Sequence, residues 1–190
     1  MRRADAAGGR GTLVVFTGDN GGERYSKILP FVGRKWDLLE GGLRVPQITW
    51  WPGRIRAGQV TEQVTIGMDL TATCLAAAGV AAHPDHPLDG MDLLPLLAGT
   101  APVAERTLFW RMANRAQRSV RQGDWKYLKV EEQEFLFAIA YDPCERWNQA
   151  RKRPGLLAEL RTLWEEWDAT MPPVPANLPT SLKNLYEMLW

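Results

Sequence analysis

The sequence is poor in cysteine, in long apolar runs and in excess charge of either sign, and each lack excludes a class of protein. Two cysteines, Cys74 and Cys144, occur among 190 residues. They are too few for a disulfide scaffold and lack the C-x-x-C spacing of a zinc site. No apolar run approaches the ~20 residues that cross a bilayer. Because 23 Lys and Arg face 22 Asp and Glu, the net charge of +1 gives no reason to expect nucleic acid or a membrane surface as partner.

Two short apolar segments in the first half of the chain predict strands of a mainly parallel sheet. Residues 12–17 (TLVVFT) form a continuous apolar run that ends at a glycine, a pattern typical of a strand buried on both faces. Residues 45–51 predict a second strand, and residues 69–78 predict a helix that stops at Gly79. The intervening loop, residues 18–44, is long enough that we expect it to be functional.

The second half of the chain predicts a different architecture. Short strand candidates separated by turn-like breaks predict a small antiparallel sheet, at residues 106–111, 119–121, 125–130 and 135–139. Apolar residues from Leu156 to Met171 recur at helical spacing and predict one amphipathic helix that covers a face of that sheet. The expected fold is therefore α/β, with an α/β part in residues 1–103, the small sheet and helix in residues 104–172, and a tail in residues 173–190.

Asp19 and Asn20 follow directly after the first predicted strand. Open α/β sheets place ligand sites at the carboxyl ends of their strands, and Gly21 and Gly22 would let the backbone approach a ligand closely. A carboxylate and an amide carbonyl are hard oxygen donors, which suit Ca²⁺ or Mg²⁺ better than zinc. The alternative interpretation is an ordinary turn, because Asp-Asn-Gly is common turn chemistry.

Other polar residues admit plainer interpretations. Lys35 would meet an anionic oxygen if a cation were bound nearby, and is otherwise a surface lysine. Residues 40–46 fit a tight turn pinned by a salt bridge. His83 and His86 flank prolines and fit a solvent-exposed loop. Cys74 is expected to be a buried, inert thiol on its helix.

Six sequence strings together resemble the carboxyl-terminal half of a sulfatase of the arylsulfatase type, in the alkaline phosphatase-like superfamily. Each string is weak alone, but their order and spacing match the family. They are FTGDNGG (residues 16–22), GRKWDLLEGGLRVP (33–46), WPG (51–53), LDGMDLLPLL (88–97), GDWK (123–126) and DPCERWNQA (142–150).

The resemblance implies a function and a site. Sulfatases hydrolyse sulfate esters with a formylglycine, made from the cysteine or serine of a C/S-x-P-x-R motif, beside one Ca²⁺. By the same resemblance, Asp19 and Asn20 are expected to be metal ligands, and Lys35 is expected to contact the sulfate group. Residues 1–103 would be the carboxyl-terminal part of the sulfatase core, and residues 104–172 its small sheet-plus-helix subdomain.

The motif that supplies the nucleophile does not occur in this sequence. Neither Cys74 nor Cys144 is followed by the required proline and arginine, and none of the serines is. Two oxygen ligands also fall short of the ~6 to 8 that Ca²⁺ takes. We therefore expect a fragment, either a truncated reading frame or one piece of an enzyme that a complementing chain completes, which acts on a sulfate ester only with the missing half. The alternative is an inactive truncated product or an interaction subunit that keeps the sulfatase surface.

Overall fold

A computed structural model of the chain describes residues 11–23 and 25–174, which have a mixed α/β fold. The tail predicted for residues 173–190 lies outside the described residues from residue 175 onward. The elements, in chain order, are β1 (Val14–Thr17), α1 (Glu40–Leu43), β2 (Gln47–Trp50), α2 (Met68–Ala77), α3 (Leu94–Leu97), β3 (Thr107–Met112), β4 (Gln117–Gln122), β5 (Trp125–Val130), β6 (Gln133–Ala138) and α4 (Pro154–Asp168), with a 3-10 turn at Asn114–Ala116 before β4. None of these helices is long and apolar enough to cross a membrane.

The described residues form two compact units. The first contains residues 11–19 and 45–104, and the second contains residues 20–23, 25–44 and 105–174. The loop after β1 therefore belongs with the second unit. The domain boundaries predicted from the sequence, after residues 103 and 172, stay predictions.

The first unit contains a two-stranded antiparallel ribbon. β1 pairs with β2 so that Val14 lies opposite Trp50 and Phe16 lies opposite Ile48. The sequence predicted a strand of a mainly parallel sheet, buried on both faces. Within residues 11–23 and 25–174, β1 instead has one antiparallel neighbour, and its side chains alternate between exposed and half-buried. An apolar run identifies a strand but does not encode the direction of its partner, because that pairing is set by distant segments.

Helix α2 is held to the segment that follows it by buried polar groups. It lies one residue earlier than predicted, at both ends. The Asp69 carboxylate is fully buried and accepts the N–H groups of Ile66 and Met91, both at 2.9 Å. A Cβ on Gly90 would collide with the carbonyl oxygen of Met68. This string of the family resemblance, residues 88–97, thus serves packing within the first unit.

The second unit confirms the predicted small antiparallel sheet with one covering helix. Strands β3 to β6 pair in sequence order, each antiparallel to the next. Helix α4 packs on one face through Leu160 and Trp164, which contact Val120, Tyr127 and Leu136 in the sheet. The helical spacing predicted this helix because its apolar residues had to face one side.

The opposite face of this sheet is covered by part of the loop that follows β1. Leu38 is buried against Leu128, Phe137 and Ile139. Both faces of the four-stranded sheet are therefore packed, one by α4 and one by residues around α1. The packing brings residues that are distant in the sequence against the segment that contains Lys35.

Candidate functional site

The three predicted site residues lie at the end of β1 and in the loop that follows it. Asp19 is the last residue of this part of the first unit, and its side chain is exposed. Asn20 begins the loop in the second unit, is half-buried, and donates its Nδ2 to the Gly21 carbonyl oxygen at 3.0 Å. The Asn20 amide oxygen and the Asp19 carboxylate are hard donors of the kind that Ca²⁺ binds.

The base of the loop is a close contact between two backbone segments. Gly21 donates its N–H to the Gly42 carbonyl oxygen at 2.8 Å, and Gly41 donates to the Val32 carbonyl oxygen at 2.7 Å. A Cβ on Gly21 would collide with the Gly41 carbonyl oxygen. Only glycine permits this approach. The glycine that the sequence assigned to close approach of a ligand therefore closes the loop on itself.

Lys35 lies in the same loop and is tied to the Asn20 end of it. Its backbone N–H donates to the Gly22 carbonyl oxygen at 2.9 Å. Its side chain is 36% exposed, with Nζ 3.8 Å from the Glu23 carboxylate and 5.9 Å from the centre of the Trp36 ring. The ion pair is longer than a hydrogen bond. The three N–H donors of the ammonium therefore retain the capacity to bind an anion.

The donor chemistry at Asp19 and Asn20 fits part of a metal site. Throughout residues 11–23 and 25–174, no group of three or more His, Cys, Asp or Glu side chains is arranged to hold a metal ion. Because Ca²⁺ takes ~6 to 8 oxygen ligands, the two residues fit as a share of a calcium site that other groups complete. The calcium site remains a prediction.

A buried ion cluster lies at the other end of the loop. The sequence predicted a turn pinned by a salt bridge at residues 40–46, and the Glu40 and Arg44 side chains do approach to 3.9 Å. Glu40, however, is buried, and its carboxylate lies 2.9 Å from the Nζ of Lys126 on β5. The turn is the short helix α1, and its main ionic partner comes from the four-stranded sheet.

Glu145 completes this cluster. Its carboxylate lies 2.8 Å from Lys126 Nζ and accepts the backbone N–H of Glu40 at 2.7 Å. The Lys126 and Glu145 side chains are both fully buried. Three strings of the family resemblance thus meet at one point, because Glu40, Lys126 and Glu145 each come from a different one.

Sequence reasoning missed Lys126 and Glu145, although the strand pattern contained a signal for the lysine. On β5, Lys126 shares a face with Leu128 and Val130, which pack into the core below the loop. A lysine in an apolar row must either reach solvent or meet a buried carboxylate. The identity of that carboxylate could not be read from the sequence, since Glu40 and Glu145 are both distant along the chain.

Burial dominates the electrostatics of the cluster. It raises the pKa of Glu145, and the Lys126 ammonium opposes that shift. Arg121 lies opposite Lys126 in the sheet register, and burial lowers its pKa while the Glu40 carboxylate opposes the change. Lys126 supplies the closest compensating charge to both carboxylates, at 2.9 Å and 2.8 Å, and Arg44 adds a more distant one at Glu40.

The remaining polar residues singled out in the sequence lie outside this site. His83 and His86 are exposed, with ring centres 5.0 Å apart, which confirms the exposed loop. Cys74 is exposed on α2, so the prediction of a buried thiol was wrong. Its helix turns that position toward solvent and buries Ala72 and Thr73 instead.

Comparison with known proteins connects this loop to one family. A family model described as Sulfatase matches residues 4–80, a range that contains Asp19, Asn20 and Lys35. The chain is 43% identical over 105 residues to N-acetylgalactosamine-6-sulfatase of Canis lupus familiaris, a match that covers 52% of this chain and 20% of that protein. It is 41% identical over 189 residues to arylsulfatase A of Homo sapiens, covering 80% of this chain and 37% of that protein.

A solved structure shows the same similarity in three dimensions. The crystal structure of Ps i-CgsB is 28% identical and superimposes with a TM-score of 0.74, covering 84% of this chain and 37% of that one. The same protein has been solved in complex with k-i-k-neocarrahexaose. The chain spans less than two fifths of the length of each of these three relatives, at 20%, 37% and 37%.

Proposed function

The chain belongs to the sulfatase family of the alkaline phosphatase-like superfamily, and from that premise we propose that it contributes metal-binding and sulfate-binding residues to a sulfuric ester hydrolase. The observation that carries the proposal is that Asn20 and Lys35 lie in one loop whose backbone is closed by glycine contacts. Relatives are named N-acetylgalactosamine-6-sulfatase, arylsulfatase A and steryl-sulfatase. The proposal therefore extends to sulfate esters as a class.

Lys35 is proposed to bind an oxygen of the sulfate ester. As the bond between sulfur and the leaving oxygen breaks, negative charge grows on the sulfuryl oxygens and on the departing oxygen. An ammonium fixed beside these atoms stabilises that charge more than it stabilises the ground state. Its ion pair with exposed Glu23 is long, at 3.8 Å, so an anionic substrate can replace it.

Asp19 and Asn20 are proposed to be two of the oxygen ligands of a Ca²⁺ ion. When bound, the ion would offset charge on the sulfuryl oxygens. The carboxylate and the amide oxygen of this dipeptide would orient the ion from one side. The other ligands and a formylglycine nucleophile must come from outside this sequence, in which the C/S-x-P-x-R motif does not occur.

The first unit is proposed to be part of a larger, mainly parallel sheet. Phe16 and Ile48 are opposite each other in the ribbon and are each 62% exposed, and Val14 and Trp50 extend the same apolar face. A lone two-stranded ribbon is marginally stable in water. The chain spans less than two fifths of its relatives, at 20% and 37% for two of them, so the missing sheet and the missing half of the site would come from the same source, either the rest of one protein or a complementing chain.

A second candidate function is an interaction subunit without catalysis. It is favoured by one observation, the lack of a nucleophile motif in all 190 residues. The two candidates predict different results: the hydrolase requires Lys35 for turnover of a sulfate ester, whereas the interaction subunit has no turnover for Lys35 to affect.

The first prediction concerns Lys35→Ala in the protein expressed with all coding sequence in frame upstream of Met1. We expect kcat/KM for 4-nitrophenyl sulfate to fall by roughly 10²- to 10³-fold, because one charge-stabilising group is lost. The matched control is Lys27→Ala, which removes an exposed lysine of the same loop and should leave kcat/KM unchanged within about twofold.

Equal activity of the Lys35→Ala variant and the parent would refute the role of Lys35. A parent protein that hydrolyses no sulfate ester in the presence of calcium would refute the enzyme proposal and favour the interaction subunit.

The second prediction concerns the calcium ligands. Asn20→Ala should weaken Ca²⁺ binding by about tenfold or more. Loss of a group that merely orients a metal ligand lowers metal affinity by about 10- to 100-fold, and loss of the ligand itself should cost at least as much. The measurement is calorimetric titration of the same protein with CaCl₂. Asp85→Asn, in an exposed loop, serves as the control and should titrate like the parent. Unchanged affinity in Asn20→Ala would contradict the ligand assignment.

A further inference from the structure

Trp36, the residue after Lys35, has an unusual backbone conformation. Its φ is +79°, in the left-handed region that glycine adopts readily and bulky residues rarely do. A residue held there is strained and persists only when its surroundings impose it. Such residues cluster at functional sites, so the group that holds Trp36 is of interest.

Gln117, the first residue of β4, holds the backbone on the carboxyl side of Trp36. Its Nε2 donates to the Trp36 carbonyl oxygen at 2.9 Å, and its Oε1 accepts the Leu38 N–H at 2.9 Å. The side chain is buried, at 2% exposure. One amide group therefore satisfies a backbone acceptor and a backbone donor two residues apart.

Gln117 is itself fixed from behind. Its Nε2 also donates to the Asn114 carbonyl oxygen at 3.2 Å and lies 3.7 Å from the Met112 sulfur. It therefore joins the loop to the end of β3 and to the turn before β4. A glutamine offers both a donor and an acceptor in one plane, which a carboxylate or an apolar side chain of the same size does not.

The backbone of Lys35 is thus constrained on both sides. On one side, its N–H donates to the Gly22 carbonyl oxygen at 2.9 Å, and on the other, one residue further along the chain, Gln117 holds the carbonyl group of Trp36. Because these bonds hold the backbone before Lys35 and just after Trp36, they limit the direction in which the Lys35 side chain leaves the backbone.

We infer that Gln117 is a positioning residue for Lys35, fixing the backbone on its carboxyl side so that the ammonium extends in one direction. This inference rests on the proposed function of Lys35. It assigns a role in the reaction to a neutral residue of the four-stranded sheet. A misplacement of about 1 Å in a substrate-binding group can cost about 10²-fold in rate, so the role is measurable.

The test begins with Gln117→Met, which keeps the length and removes both hydrogen bonds. In the protein that contains all upstream coding sequence, kcat/KM for 4-nitrophenyl sulfate should fall at least tenfold. In a Lys35→Ala background the same change should cost less than about twofold, because the group that it positions is absent. The matched control is Gln122→Met, an exposed glutamine on the same strand, which should be neutral in both backgrounds.

A loss of less than twofold in the parent background would overturn the inference. An equal fold-loss of kcat/KM in both backgrounds would also overturn it. If Gln117 were merely structural, the effect of its substitution would be independent of Lys35 and would simply add to the effect of Lys35→Ala. If Gln117→Met does not unfold cooperatively, Gln117→Glu replaces it. That variant has the same shape but as a carboxylate cannot donate to the Trp36 carbonyl, and the same criteria apply.

A second readout separates this inference from the proposed function. The Leu38 amide donates to Gln117, so its hydrogen exchange in the parent should be at least tenfold slower than in Gln117→Met. A parent protein without sulfatase activity would overturn the proposed function alone. The exchange rates would then decide whether Gln117 fixes this segment, and equal rates would overturn the inference.

Discussion

The two sheets of this chain differ in how completely their faces are covered. The four-stranded sheet of the second unit has α4 on one face and Leu38 with its neighbours on the other. The ribbon of β1 and β2 exposes Phe16 and Ile48 across from each other. Within the described residues, both faces of the four-stranded sheet are covered. The ribbon has the apolar side chains of an interior strand, but one of its faces is exposed.

The difference teaches where the stability of the chain resides. Apolar burial contributes roughly 25 cal/mol per Å², and most of the buried apolar side chains of the described residues lie in the second unit, with Ala72 and Leu93 in the first. The loop with Lys35 also belongs to that unit. The segment proposed to contact the substrate is therefore built on the well-packed part of the chain.

The largest expected effect on the free energy of unfolding comes from a substitution in the buried ion cluster of the second unit. Lys126→Met leaves the buried Glu40 and Glu145 carboxylates without their nearest cation, which should lower the free energy of unfolding by about 3 to 5 kcal/mol. The measurement is urea unfolding of the chain at pH 7, followed by tryptophan fluorescence. Burial raises the pKa of Glu145, so its protonated form is favoured in the folded state. The destabilisation should therefore shrink as the pH falls through that raised pKa.

Lys129→Met is the control for this variant. Lys129 lies on the same strand and pairs with Glu132, whose side chain is 94% exposed, so its loss should change the unfolding free energy by less than about 1 kcal/mol. Equal effects of the two lysine substitutions would mean that the cluster does not stabilise the unit.

The next largest effect comes from a pair of substitutions, one beside each sheet, whose costs in stability can be compared directly. Leu160→Ala removes a fully buried side chain of α4 and should cost about 2 to 5 kcal/mol. Phe16→Ala, in the ribbon, should change the free energy of unfolding by no more than about 0.5 kcal/mol and should reduce self-association measured by sedimentation velocity. A large loss of stability on Phe16→Ala would show that the ribbon is already covered in the isolated chain.

The smallest expected effect concerns Glu134 and the dependence of stability on pH in the acid range. Burial raises the pKa of Glu134, but hydrogen bonds from Tyr127 and Arg161 outweigh it and leave the pKa lowered overall. The stabilisation is therefore present above the ordinary carboxyl pKa of ~4.3 and is lost as the pH falls through the lower folded value. Glu134→Gln should cost about 1 kcal/mol at pH 7 and progressively less in acid. A difference that does not change with pH would contradict this assignment.

The parts of the fold that the sequence predicted are those with local signals. The helical spacing of Leu156 to Trp167 indicated α4, and turn residues separated the strands of the second sheet to within about two residues of their observed ends. Both strands of the ribbon were predicted, but their antiparallel pairing had no such local signal. Strand pairing depends on distant segments, and the apolar pattern of residues 12–17 fits either direction of pairing.

The candidate site divides in the same way. Asp19, Asn20 and Lys35 were candidates from their place after the first strand, a resemblance to a family assigned their roles, and those roles await experiment. Lys126, Glu145 and Gln117 are visible only once the chain is folded, because each acts on a residue about 80 or more positions away, with separations of 86, 105 and 79. No local pattern encodes such contacts.

The closed base of the loop also bears on how this family can diversify. Because Gly21 and Gly42 are bonded to each other, the segment between them is fixed at its ends, and Tyr25 and Leu29 are exposed near its start. Lengthening a loop whose ends are held costs little, about 0.6 kcal/mol for each doubling. Insertions near residues 25–29 would thus change the exposed surface of the loop while the glycine contact at its base, and with it the place of Lys35, is kept.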